Sequence, residues 1–193
     1  LSLMHVIVAA FVKTVTVYPE FNRFIMNKKI YQRNEICVSH AMLKKQVDEN
    51  INETTVKLFF DSSDNIYTVT EKMNKAIEEN REVDTINFTD KIARFFLAFP
   101  FLPTLALWLV KVLDRYGLLP KKIIDASPFH TSMFITNMAS IKMNYVYHHI
   151  YNFGTTSVFF FIVQHDVKLT VDKDNNIVKK SIIPLGVVID ERI

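Results

Sequence analysis

Near Ser132 the apolar pattern of the chain changes from a period of about three to four residues to a period of two, and this change limits the fold more than any single motif. C-terminal to it, SMFITNM, NYVYHHIY, TTSVFFFIV, VKLTVD, IVKKS and IPLGVVID are short runs rich in Val, Ile, Phe, Tyr and Thr, and Asp174, Asn175 and Asn176 form a turn between two of them. N-terminal to it the pattern is mostly helical. Residues 3–17 carry Val6, Ile7, Ala10, Phe11 and Val15 at helical spacing until Pro19 stops them, and Thr68 to Glu82 reads as a helix with one charged face. Two further helices are expected at 88–98 and 102–116, broken by Pro100 and Pro103. Between the first helix and the rest, Arg23 to Tyr31 and Ile36 to Leu43 read as the two strands of a hairpin joined around Gln32 to Glu35, and Val56 to Phe60 as a short strand. Helices first and strands last, with a hairpin between, give an α+β layout with helices packed on one face of a mixed sheet.

Composition removes several functions. The 193 residues hold three glycines, Gly117, Gly154 and Gly186, too far apart for a Walker loop or a dinucleotide fingerprint, which need glycines at fixed close offsets. A lone Cys37 forms no internal disulfide and completes no multi-cysteine zinc site, so a reducing, cytoplasmic setting is expected. The balance of 23 basic to 20 acidic residues, with no basic block, argues against nucleic acid. With 49% hydrophobic residues the chain is not disordered, and it is long enough for one sizeable core. Both ends stop inside apolar patterns, LSLMHVIVAAFVKTV and PLGVVIDERI, so one domain cut at both termini is expected.

Phe95 to Val110 is a run of sixteen residues without a charge. A spanning helix needs about 20, and Pro100 and Pro103 interrupt this one. A buried or interface helix is the expectation, membrane-surface attachment the lesser alternative, with Lys111 and Arg115 flanking the run and Trp108 suited to a headgroup boundary.

Three segments carry a family resemblance. Met133 to Ile141 (MFITNMASI) stands where a TFTISNLG-type strand belongs; Phe153 to Arg192 follows an order of buried strand, second strand, charged turn, third strand and final strand; and Pro19, Phe21 and Asn22 follow a helix as in a P-x-L-N segment. The chain thereby resembles the catalytic domain of the 2-oxoacid dehydrogenase acyltransferases, which shares its fold with chloramphenicol acetyltransferase. The final strand of that family runs into DHRxxDG, and here Asp190, Glu191 and Arg192 stand at D, H and R. The resemblance implies coenzyme A-dependent transfer of an acyl group to a small-molecule acceptor, without a covalent enzyme intermediate or a metal, in a homotrimer whose sites lie between subunits. It puts Glu191 at the position of the general base, and the hydroxyl that hydrogen-bonds the oxyanion near Asn144 or Tyr145. An unperturbed Glu titrates near about 4.3, so Glu191 needs burial to serve a thiol near about 8.5. A catalytically inactive scaffold or binding module of the same fold is the alternative.

Other residues are weighed beside these. HHIYNFG (His148 to Gly154) mimics the motif with Phe153 where aspartate belongs. On a strand, one of His148 and His149 faces the core or an interface and the other solvent, and His149 is the candidate to replace the missing base. Ser132 and Thr136, after the polar loop Ser127 to Thr131, are candidates to bind the pantetheine of coenzyme A or the oxyanion, although such clusters commonly satisfy turn backbone. Cys37 is expected as a small buried hydrophobe, and Asp114 with Arg115 as a solvated pair.

Overall fold

The computed structural model describes residues 1–43, 53–81, 103–144 and 146–193. The helix expected at 88–98 lies outside them.

Helix α1 (Leu3–Val17) starts where the Ser2 N–H donates to the Nδ1 of His5 at 2.9 Å, an arrangement like a capping box, and ends before Pro19 opens a 3₁₀ turn, Pro19–Asn22. Its buried stripe is Met4, Val8, Phe11, Val12 and Val15. Val6 and Ala10, expected to face the core, point outward, because the helix is apolar nearly all round and its composition leaves the inner face open.

The hairpin is shorter than the sequence suggests. Strands β1 (Arg23–Met26) and β2 (Lys29–Gln32) pair antiparallel around Asn27 and Lys28, whose φ angles of 48° and 63° make a two-residue turn of the kind that matches strand twist. The turn therefore lies inside the first expected strand. β3 (Ile36–Leu43) is freed to enter the main sheet, where it pairs antiparallel with β4 (Glu53–Phe60) and parallel with β5 (Met133–Asn137). β6 (Val158–Ile162) is parallel to β5, and β9 (Leu185–Ile189) antiparallel to β6. The order is β4–β3–β5–β6–β9, a mixed sheet. β7 (Asp166–Val171) and β8 (Ile177–Ile182) form a separate exposed hairpin, its turn held by the Asp172 carboxylate accepting from the Asp174 and Asn176 N–H groups.

Alternation along each strand sorts the side chains into two faces. Ile36, Val38, Met133, Ile135, Val158 and Ile162 meet α1 and α2 (Ile66–Arg81), with Val8, Val12, Val69 and Met73 the best buried of the helix residues. Phe134, Phe159 and Phe161 form a second cluster on the other face. Gly186 is required there, because a Cβ at that position would lie 1.9 Å from the Phe161 ring.

Asn144 and Val146 to Ile150, expected as part of a strand, pair with none. This segment lays its aromatic rings over the second face: His148 stacks on Phe159 at 4.1 Å, and Tyr151 meets Phe129 edge-on at 4.8 Å. Aromatic content signals a half-buried surface and not a backbone state, so a covering loop mimics a strand. Helix α3 (Pro103–Arg115) begins on proline, whose missing N–H costs nothing at a first turn, and α4 (Lys121–Ala126) follows. Of the expected buried or interface helix, the described end is not buried in the single chain: α3 leaves Leu107, Trp108 and Leu109 exposed.

Candidate functional site

The C-terminal end of β5 divides two cavities. Asn137 lies on the helix side of the sheet and Thr136 on the other, and Thr136 lines both. The first cavity, about 530 Å³, is bounded by His5 of α1, His40 of β3, Asn137, Ser140 and Ile162. Burial pushes the His40 imidazole down to about 4, with the neighbouring His5 adding to the shift, and burial also lowers His5. The His40 ring is therefore neutral at pH 7. The Oδ1 of Asn137 is buried without a donor. His40 and His5 were not singled out from the sequence; the signal for His40 was a polar residue in step with Ile36 and Val38 on the apolar side of ICVSHAML.

The second cavity, about 340 Å³, lies under the aromatic cover and is lined by Phe134, Thr136, His148, Tyr151 and Phe159. Of the two histidines, His148 lines this cavity. His148 is half-buried against Phe159, with its Nδ1 buried and unpartnered, whereas His149 is exposed.

The turn after β9 holds the remaining motif residues. Arg192 donates to both oxygens of Asp190, Nε at 2.7 Å and Nη2 at 2.6 Å, and the Asp190 N–H donates to the Ser157 carbonyl. The Arg192 hydrogen bonds hold the Asp190 carboxyl below its usual range. Glu191, between the two clamped residues, is exposed. Thr136 is level with Phe161 across β5 and β6, whereas Ile189 is level with Val158. Three residue steps of roughly 3.3 Å therefore separate Ile189 from the level of Thr136, and Glu191 lies beyond Ile189. One chain does not bring Glu191 and Thr136 together.

The other candidates are dispersed. Asn144 is exposed beside a cleft with Gln164, His165 and Pro184. Tyr145 lies outside the described residues. Ser132 is fully buried, and its Oγ accepts the Cys37 N–H at 3.0 Å, so its hydroxyl is committed to joining the β3 and β5 segments and not to a ligand. Cys37 is buried, as expected. Among the described residues no group of three His, Cys, Asp or Glu side chains is placed to hold a metal ion.

Asp114 corrects the sequence reading. It is not a solvated partner of Arg115: its Oδ1 accepts from the Nε2 of buried His130 at 2.7 Å and its Oδ2 from the Gly154 N–H at 3.1 Å. His130 Nδ1 lies 2.7 Å from Ser127 Oγ, which also accepts the Phe129 N–H. The relay has the residue types of a hydrolytic triad, but neither cavity described above is lined by Ser127 or His130. Its effect is to tie α3 to the turn at Gly154, where φ is 84° and a Cβ would meet the Phe129 carbonyl oxygen at 2.3 Å. No local signal linked these residues, since Asp114 and Gly154 are forty positions apart.

No family profile matches the chain, and no curated protein matches it significantly. Solved structures do. A probable dihydrolipoamide acetyltransferase from Listeria monocytogenes superposes with a TM-score of 0.58 at 13% identity, over 100% of this chain and 62% of that one. The cubic core of a pyruvate dehydrogenase multienzyme complex gives 0.58 at 10% identity, over 100% and 61%. The dihydrolipoamide acetyltransferase of Azotobacter vinelandii, in whose catalytic mechanism a serine, a histidine and an asparagine have been investigated, gives 0.57 at 10%, again over 100% and 61%. The likeness establishes the expected α+β, chloramphenicol acetyltransferase-like fold, and the chain spans about three fifths of the length of these structures.

Proposed function

We propose, on the premise of the acetyltransferase fold, that this chain belongs to an acyltransferase that moves an acyl group from coenzyme A to a small-molecule acceptor, as a homotrimer in the cytoplasm. The observation that supports the reading is the turn after β9, where the Asp190–Arg192 clamp leaves Glu191 exposed, the residue that the motif resemblance puts in the role of base. Glu191 takes the proton of the acceptor's nucleophile as it attacks the thioester carbonyl. The resulting oxyanion accepts a hydrogen bond from Thr136, its collapse breaks the carbon–sulfur bond, and the departing thiolate recovers the proton from Glu191 as free coenzyme A.

Since one chain keeps Glu191 and Thr136 at different levels of the sheet, the Glu191 serving a given Thr136 comes from a second copy. Burial between copies would raise its pKa toward that of a useful base. Leu185, Val187 and Ile189, an exposed apolar row on an edge strand, supply a surface for that association. For the pantetheine arm, a slender chain with two amides, the first cavity offers the Thr136 hydroxyl and the unpartnered Asn137 Oδ1.

Glu191→Gln is expected to reduce transfer from acetyl-coenzyme A by about 10²-fold or more while leaving its thermal protection of the protein intact. Unchanged transfer in this variant would remove Glu191 from the chemistry. The placement of Glu191 and Thr136 apart in one chain favours the second reading, a scaffold of the same fold. For a scaffold, acyl-coenzyme A leaves the melting temperature where it was.

A further inference from the structure

Helix α3 and the segment after it carry an apolar surface that the rest of the described chain leaves open. Leu107, Trp108 and Leu109 are 51%, 58% and 49% exposed, and Tyr116 and Leu118, just beyond the helix, 60% and 66%. Single exposed leucines are ordinary on a protein surface, but five large apolar residues within twelve positions are not. The sixteen-residue run without a charge ends on this helix, at Val110.

Within the segment from Leu107 to Lys122 four cations stand against one acid, and Glu35 and, to a lesser degree, Asp125 of α4 lie close enough to Lys121 to favour its charged form. Lys111, Arg115 and Lys122 are exposed and have no carboxylate partner among the described residues, and Lys121 bridges to Glu35 at 3.0 Å. The one acid of the helix, Asp114, is turned away to His130 and Gly154. A second copy docked two-fold through the same face would bring Lys111 and Arg115 of both chains together, which opposes that arrangement. Leucines, a tryptophan and a tyrosine bordered by unpaired cations are instead complementary to an anionic bilayer surface, with the leucines at the acyl boundary, the aromatic rings among the headgroups and the cations on lipid phosphates. Among the described residues no helix is long and apolar enough to cross a membrane.

We propose that the segment from Leu107 to Lys122 docks this protein on an anionic lipid surface. The contact requires no part of the acyl-transfer chemistry, so its failure or success is separate from that reading.

Trp108 is the only tryptophan in the 193 residues, so its fluorescence reports this surface alone. The 193-residue chain is titrated with vesicles of phosphatidylcholine containing about a third phosphatidylglycerol, and with phosphatidylcholine vesicles. Anionic vesicles are expected to shift Trp108 emission to the blue, shield it from acrylamide and sediment the protein, less so at high salt, and neutral vesicles to do much less. Leu107→Glu with Leu109→Glu should weaken the partitioning about tenfold or more, with thermal unfolding close to the parent's because both positions are half-exposed. Absence of a shift and of sedimentation with anionic vesicles overturns the proposal. So does a blue shift that grows with protein concentration without lipid, which would assign the surface to a second copy.

Discussion

One row of side chains crosses the whole five-stranded sheet, and its two ends differ. Val56, His40, Ile135, Phe160 and Val187 are neighbours across β4, β3, β5, β6 and β9, all on the side that faces the helices. Val56 is 8% exposed and Ile135 fully buried, yet Val187 is 48% exposed. The next row repeats the fall, from buried Met133 and Val158 to exposed Ile189. Helices α1 and α2 contact each other and the β3–β4 end, and the sheet continues past their cover. The same strand chemistry is thus a closed core at one end and an open face at the other.

The largest effect expected is at the closed end. Ile135→Ala removes buried methyl groups under α1 and should lower unfolding free energy by about 2–5 kcal/mol, read as a shift in denaturant midpoint without a change in slope. A loss below about 1 kcal/mol would mean that the helices do not seal this row.

His40, beside Ile135 in the row, makes the closed end sensitive to acid. Its folded pKa of about 4 lies below its ordinary 6.5. Between those values the unfolded chain binds a proton that the folded chain refuses, so stability is at its plateau above about 6.5 and falls as pH drops toward about 4. The total is on the order of 3 kcal/mol, and His5, also lowered, acts in the same direction. His40→Leu should flatten this limb in denaturant titrations at a series of pH values, and an unchanged limb would assign it to other groups.

On the other side of the sheet, Asp114→Ala leaves the His130 and Gly154 donors without their acceptor. The expected cost is about 1–3 kcal/mol, smaller than at Ile135 because water reaches the carboxylate more readily. Proteolysis within the 146–156 segment should rise in the variant, and a cleavage pattern like the parent's would show that the aromatic packing alone holds it.

What the sequence made legible follows the range of each cause. The end of α1 at Pro19, the turn near Asp174 and the buried Cys37 are local and could be read. The inward stripe of α1 could not, because an apolar helix carries little angular information. The β1–β2 turn was missed since Asn27 and Lys28 reach positive φ without glycine, and the false strand before Gly154 since aromatic residues cover a sheet as readily as they build one. The order of motif segments singled out Glu191, which lies on the turn after β9. It said nothing of Ser132, whose burial depends on a bond to Cys37 made ninety-five positions away, or of Asp114, whose partners are distant.

At the open end the smallest change in chain stability is expected, and it carries the most about assembly. Val187→Asp introduces a charge at a half-exposed position of an edge strand, where water still reaches it, so unfolding of the isolated chain should move by about 1 kcal/mol or less. If the row continues under a second copy, the same charge becomes desolvated between chains and should dissociate the oligomer, as a fall in mass by light scattering at constant concentration. A variant that keeps the parent's mass would place the contact elsewhere. One that unfolds as readily as Ile135→Ala would show that Val187 is already covered within its own chain, and the two ends of the row would then be alike.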